Sequence, residues 1–361
     1  MIDLPPLARL GGRVATGLLD VTRDPAALES RGWWAVVAGD DGPPVCARFA
    51  DVRPAPPAPA SPAPWYGPSR AAWTSSLDRA AWTAGVADIH ARIAAGEVYQ
   101  VNLCRVLSAP LPAVPGHAHD IDALTARLRR HHPAAAPAGT VRLPDHGVEI
   151  ATASPELFLR RTGRTVESGP IKGTARTAAA FLPKDRAENV MITDLVRNDL
   201  GAVCAPGSVT VPGLCVPEPY PGLVHLVSTV RGELTAGAGW PALLDAAFPP
   251  GSVTGAPKSS ALRAIAALEP VPRGPYCGAV GWVDADRGTG ELSVAIRTFW
   301  IDRASGTPLL RFGAGAGITW DSDPAGEWAE TELKAARLLA VASDPNDHEH
   351  VHDLRRAPSW R

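Results

Sequence analysis

Six of the eleven residues from Pro54 to Pro64 are proline, a density that neither a helix nor a central strand tolerates. Each proline lacks the N–H that a helix or ladder needs and fixes its own φ near the polyproline value. Residues 54–71 are therefore predicted to form an extended, polyproline-like connector. It separates a short piece, 1–53, from the rest of the chain. Within that piece, Trp33-Trp34-Ala35-Val36-Val37 and the turn signal Asp40-Asp41-Gly42 predict short strands in a hairpin or two. So few residues bury too little surface to stand as an independent domain. The remainder, 72–342, is long enough for one large core, and a polar tail, 343–361, closes the chain.

Charge and cysteine usage narrow the function classes. With 45% apolar and 20% charged residues and a formal charge of −2, the chain has no global field to attract nucleic acid or an anionic membrane. An anionic ligand must be met by local charges. The five cysteines, Cys46, Cys104, Cys204, Cys215 and Cys277, are odd in number and form no CxxC pair. They read as small buried hydrophobes in a reducing cytosol rather than as a disulfide or zinc framework. No run approaches the roughly 20 apolar residues of a membrane span, and no signal-peptide pattern opens the chain. A cytoplasmic protein is the expectation.

Periodicity places the elements of the main body. Trp82, Val86, Ile89 and Ile93 recur at helical spacing, with Gly96 as the stop. In the following strand, alternation puts Tyr99, Val101 and Leu103 on one face and Gln100 and Asn102 on the other. The two amides either decorate a sheet edge or line a polar pocket. Helices are expected over 120–131, 185–200, 243–248, 259–268 and 326–342. Strands are expected over 148–152, 157–160, 164–167, 278–282, 292–300 and 309–314. The helix from Asp185 places Glu188 in its first turn, where a carboxylate can simply offset the helix dipole. His348, His350 and His352 alternate in the tail, where solvated side chains are the simpler reading than a metal site.

Several residues suggest chemistry. Lys172 lies in Pro170-Ile171-Lys172-Gly173-Thr174, and Glu156 follows Ser154-Pro155; either alone reads equally well as a turn residue. Glu327 and Glu330 sit three apart on one helical face, so with Glu188 they offer the oxygen ligands magnesium prefers. Glu330 and Lys334, at i and i+4, make an alternative surface pair. Gly313-Ala314-Gly315-Ala316-Gly317 allows close backbone approach to a carboxylate or phosphate, or else forms a strand-end turn. Neither it nor Gly255-Ala256-Pro257-Lys258 fits a dinucleotide or Walker fingerprint, which disfavours a nucleotide enzyme. Arg297 suits a substrate carboxylate or a structural ion pair. His225 sits among apolar residues, as a core histidine or a site residue.

Taken in order, these motifs resemble the chorismate-utilising enzymes, the family of anthranilate, aminodeoxychorismate, isochorismate and salicylate synthases. The resemblance covers roughly residues 72 to 342 and also rests on Lys184-Asp185-Arg186-Ala187-Glu188-Asn189, Ala295-Ile296-Arg297-Thr298 and Ala329-Glu330-Thr331. It implies an α/β (α+β) fold in which two large, mainly antiparallel sheets form a sandwich flanked by helices. Within the family it implies the branch that forms aminodeoxychorismate, on the route to 4-aminobenzoate and folate. Lys172 stands where anthranilate synthases carry alanine, and Gln100 stands where the water-adding enzymes carry a lysine base. A poor nucleophile such as water needs a base, whereas ammonia needs none.

The resemblance further implies Lys172 as nucleophile, Glu156 as general acid and His225 beside the reacting ring. It implies Gln100, Gly173, Thr174, Tyr276, Arg297, Gly315 and Gly317 as chorismate contacts, and Mg2+ on Glu188 and Glu330 with Glu327 as an additional or outer ligand. Ammonia is expected from a separate glutamine amidotransferase subunit, because no glutaminase nucleophile setting surrounds any of the five cysteines. The short stretch between Thr174 and Lys184 and the reduced region before residue 72 depart from larger members. The latter predicts that no tryptophan effector site is built here.

Overall fold

The computed structural model describes residues 4–40, 42–56, 64–131, 139–220, 223–304 and 306–343. The expectations for Asp41, for the proline run over 57–63 and for the tail histidines His348, His350 and His352 lie outside the described residues. The first four strands are β1 (Leu7–Leu10), β2 (Arg13–Thr22), β3 (Trp33–Ala38) and β4 (Val45–Pro54). Next come β5 (Thr74–Ser75), α1 (Arg79–Ala94), β6 (Gln100–Pro110), α2 (Ile121–His131), β7 (Gly139–Leu143) and β8 (Val148–Thr152). A run of short strands follows: β9 (Leu157–Thr162), β10 (Thr165–Gly169) and β11 (Ile171–Ala175). Then come α3 (Pro183–Gly201), β12 (Thr210–Tyr220), β13 (Leu223–Glu233), α4 (Trp240–Ala247), β14 (Gly255–Ala256) and α5 (Lys258–Leu268). The last are β15 (Ala279–Asp284), β16 (Thr289–Val294), β17 (Thr298–Asp302), β18 (Leu309–Ile318) and α6 (Pro324–Ala342).

Every strand pairing is antiparallel, and the pairings run as one ladder. From β12 it passes through β13, β10, β9, β16, β15, β3 and β4. It continues through β2, β1, β7, β8, β17, β18 and β6. The two layers of the sandwich are thus the two halves of this ladder, and β1 to β4 are the strands that join them. A core cluster between the halves takes Val230, Val280 and Leu292 from one and Val106, Val141 and Ile150 from the other. At roughly 1.5–3 kcal/mol for each fully buried large apolar side chain, this cluster is a main source of stability.

The outer face of the β6 half is covered by helices whose apolar stripes match its pleat. Trp82, Val86 and Ile89 of α1 meet Val101 and Leu103 of β6 and Ile318 of β18, with Ala261 and Ile265 of α5 closing the cluster. Asp78 caps α1 by accepting from the Ala81 N–H at 2.8 Å, and Gly96 follows its end at φ 74°. Leu124 and Leu128 of α2 and Leu338 of α6 pack on Leu107, Phe299 and Phe312.

Three readings of the sequence are corrected. The single strand expected over 292–300 is two, β16 and β17, because Arg297 turns the chain with φ 51° and an extended strand cannot pass through the left-handed region. Glu188 is not in the first turn of its helix. Pro183 occupies the first helical position of α3 and Asp185 takes the first-turn acidic place, so Glu188 falls one turn deeper. The strand expected to end at 314 continues to Ile318, so the glycine run is strand rather than turn.

Candidate active site

The two open ends of the ladder face each other, and the chemical residues gather there. From one end come Lys172, Gly173 and Thr174 on β11 and His225 on β13; from the other come Gln100 at the start of β6 and the glycines of β18. The loop 250–254 lies between them. Lys172 donates from Nζ to the carbonyl of Ser252 at 2.9 Å, and Ser252 also hydrogen-bonds the Glu156 carboxyl through its side chain. A Cβ placed on Gly317 would lie 2.2 Å from Gln100 Nε2 and 3.6 Å from Lys172 Nζ. Gly317, Gln100 and Lys172 therefore bound one small space that any side chain at 317 would fill.

Burial decides several assignments that the sequence left open. Gln100 is 1% exposed and Asn102 is buried, so the amides line the interior rather than a sheet edge. The Gln100 Oε1 has no hydrogen-bond partner, an uncommon state for a buried acceptor. Glu156 is 4% exposed, and burial raises its carboxyl above the usual range, although the Ser252 hydrogen bond, Lys172, the Ile171 N–H and Arg297 all pull the other way. It is therefore biased toward the protonated form that a general acid requires.

His225 is 1% exposed. Burial, aided by the Arg297 charge, pushes its pKa down to about 4, so the imidazole is neutral at ordinary pH. Its Nδ1 and Thr174 Oγ1 share a 2.9 Å hydrogen bond across a β11–β13 pair. Its Nε2 has no partner, and Tyr220 packs edge-on against the ring with centroids 4.7 Å apart. Arg297, in its left-handed conformation, acts electrostatically on Glu156, Tyr220 and His225. A non-glycine residue held there carries backbone strain of a kind common at functional sites.

The glycine run presents backbone to the same space. β17 pairs with β18 only as far as Phe312, whereas β6 pairs with it through Ile318. The Gly315 carbonyl accepts from Lys334 Nζ at 3.0 Å, so Gly315 points its backbone groups away from β6. By strand alternation, the N–H groups of Gly313 and Gly317 share that open edge. Tyr276 packs its ring so closely on Gly313 that a Cβ there would lie 2.0 Å from it, which places Tyr276 in the floor beyond Gly315 rather than beside Lys172. Gly173, at φ 81°, has no space for a side chain, because Asp185 lies 2.9 Å from where a Cβ would be.

The carboxylates Glu188, Glu327 and Glu330 come from α3 and α6 and act on one another electrostatically. Burial raises Glu188 and Glu327, and Glu330 adds to both shifts. Burial also opposes ionisation of Glu330, but Lys334, bound at 2.7 Å, and the Lys184 and Lys172 charges outweigh it and lower its pKa. Glu330 thus pairs with Lys334 and interacts electrostatically with the other two acids. Among the described residues, no three or more His, Cys, Asp or Glu side chains come close enough together to hold a metal ion. In ligand chemistry alone, the three carboxylates suit magnesium better than zinc.

Sequence reasoning passed over three residues here. Ser252 lies just before Gly255-Ala256-Pro257-Lys258, and its part is played by a main-chain carbonyl as well as a hydroxyl. Lys334 was read only as a surface partner. Tyr220 lies on a strand whose prolines hid it.

The chain belongs to the family of chorismate binding enzymes, whose model matches residues 43–340. It is 40% identical over 282 residues to anthranilate synthase component 1 of Streptomyces coelicolor, covering 74% of this chain and 52% of that protein. It is 38% identical over 280 residues to aminodeoxychorismate synthase component 1 of Klebsiella aerogenes, covering 74% and 59%. The chain thus spans a little over half the length of these relatives. The menaquinone-specific isochorismate synthase of Escherichia coli shares the fold at a TM-score of 0.71 and 19% identity, over 94% of this chain and 89% of that one.

Proposed function

We propose that this chain aminates chorismate at C4, as the large component of an aminodeoxychorismate synthase. The observation that carries the reading is the placement of Lys172 Nζ on the Ser252 carbonyl, with Glu156 on the side chain of the same residue. A nucleophile and an acid are thereby held on one hinge point. Lys172, as the free amine, attacks C2; the Nζ–C2 bond forms, the C4–O bond breaks, and the Glu156 proton leaves with the hydroxyl as water. Ammonia then attacks C4. The Nζ–C2 bond breaks with its electron pair returning to Nζ, and a proton from the new ammonium restores Glu156.

Gln100 supports ammonia over water, because its amide is no base and its free Oε1 can accept from an N–H. Arg297, Thr174 and the open edge of Gly315 and Gly317 hold the substrate. Neutral His225 lies against its ring, and Tyr276 supports the floor. Glu188 and Glu330, with Glu327, would hold Mg2+, which when bound neutralises a substrate carboxylate and draws electrons from the ring. Ammonia comes from a separate glutamine amidotransferase subunit or from free ammonium.

The test is a product assay with chorismate, magnesium and ammonium, followed by an aminodeoxychorismate lyase. Formation of 4-aminobenzoate is expected. Amination at C2, giving fluorescent anthranilate without the lyase, is the competing reading, because Gln100 serves either position; that product would overturn the proposal.

A further inference from the structure

The edge of β6 opposite β18 is paired only in part. β14 covers Gln100 and Val101, the Asn102 N–H donates to the Thr254 carbonyl, and β5 covers Leu107 and Ser108. Between these two short strands, two side chains take over the work of a strand. Arg273 donates from Nη2 to the Asn102 carbonyl at 2.7 Å and from Nη1 to the Val253 carbonyl at 2.9 Å. Glu269 accepts from the Cys104 N–H at 2.9 Å. The two are bound to each other through Arg273 Nε at 2.8 Å and Nη2 at 2.6 Å, with only 7% and 6% of their side chains exposed.

A buried ion pair is a poor source of stability, because desolvation offsets most of its attraction. This pair instead holds position. Asn102 is two residues from Gln100, and Val253 adjoins Ser252, which carries Lys172. One guanidinium thus ties the Gln100 strand to the loop whose carbonyl holds Lys172.

We propose that Arg273 and Glu269 form a specificity-determining clamp: by fixing the Asn102 and Val253 main chains they set the gap between Gln100 and Lys172 and limit it to one small nucleophile. The inference rests on the amination reading above. In a gap of that size ammonia attacks without a base, whereas a water beside Gln100 must pass its proton on to Glu156. In a wider gap a second water relays that proton. Water attack at C4 of the Lys172 adduct forms a C–O bond, returns the electron pair to Nζ and gives a proton to Glu156. It regenerates chorismate with a solvent oxygen at C4.

The experiment uses the full chain, unaltered and as Arg273→Lys and Glu269→Gln, with chorismate, magnesium and ammonium in 18O-labelled water. Mass spectrometry reads the 18O in recovered chorismate and the amount of aminated product, and thermal unfolding confirms that each variant is folded. Lysine keeps the charge but cannot span both carbonyls as a fork. We expect the ratio of exchange to amination to rise at least about tenfold in Arg273→Lys, and to rise in Glu269→Gln as well. Rates that fall together at an unchanged ratio would mark the pair as merely structural and overturn the clamp. Absence of any aminated product from the unaltered chain would instead overturn the amination reading, and the clamp's role with it.

Discussion

Lys172 and Ser252 meet through a side-chain nitrogen and a main-chain carbonyl, 2.9 Å apart. Because the acceptor is backbone, the contact survives any substitution of the Ser252 side chain, whereas the Ser252 bond to Glu156 does not. Ser252→Ala is therefore expected to leave Lys172 placed and to weaken the hold on Glu156. A fall in kcat with KM within about threefold of the original would separate the two roles.

Replacing Lys172 by alanine removes the nucleophile and is expected to reduce 4-amino product to background, read as 4-aminobenzoate in the coupled assay. Glu156→Gln cannot give up a proton, and a loss of roughly 10²- to 10⁴-fold is expected. In the unaltered enzyme the rate is expected to fall on the alkaline side, as Glu156 loses its proton above the ordinary carboxylate range. A pH profile with no such limb would exclude Glu156 as the acid.

His225 supplies a stability prediction. Its folded pKa, about 4, lies below the unfolded value near 6.5, so the unfolded chain binds more protons between these limits. Stability from this group is full above pH 6.5 and is lost as the pH falls through 4, by up to roughly 3 kcal/mol. Arg297 opposes protonation from one side, and Tyr220 closes off solvent on another. Denaturant unfolding from pH 7 to pH 4 is expected to show a smaller decline in His225→Asn than in the unaltered chain.

Magnesium affinity provides a test that does not depend on turnover. Glu330→Gln and Glu188→Gln are each expected to weaken Mg2+ binding at least about tenfold by calorimetry, since each removes a charged oxygen ligand. Equal affinity in both variants would move the metal elsewhere.

Gly317→Ala brings a methyl group to 2.2 Å from Gln100 Nε2. The amide end of glutamine can move, so the fold is expected to persist with little change in Tm. Amination is expected to fall by roughly 10²-fold, because the displaced Gln100 no longer frames the space beside Lys172. Steady-state kinetics and a melting curve decide the matter together.

What the sequence disclosed follows the range of the interactions involved. The helical spacing from Trp82 to Ile93 and the period of two from Gln100 to Cys104 are local, and both elements form, although β6 starts one residue after Tyr99, which is exposed. The hairpin of β12 and β13 escaped notice because Pro212, Pro217 and Pro219 argue against a strand. They are tolerated because β12 pairs only with β13 and lies at an edge. The break at Arg297 was hidden by an otherwise strand-like sequence, since its positive φ is imposed by its surroundings. The site residues were recognised by motif, but Ser252 acts partly through its backbone and Arg273 through partners about 170 and 20 residues away. No local pattern records such pairings.

The single ladder also constrains how the chain emerges from the ribosome. β6 is complete by residue 110, but its partner β18 begins only at 309, and β3 waits for β15 at 279–284. Until those late strands appear, a nascent chain carries open strand edges and uncovered apolar faces, the state most exposed to misassembly. Glu156, Lys172, Glu188 and His225 are all synthesised long before the glycines and α6 that complete their pocket. The pocket is thus complete only once α6 has been made, and release before that point should yield an insoluble chain.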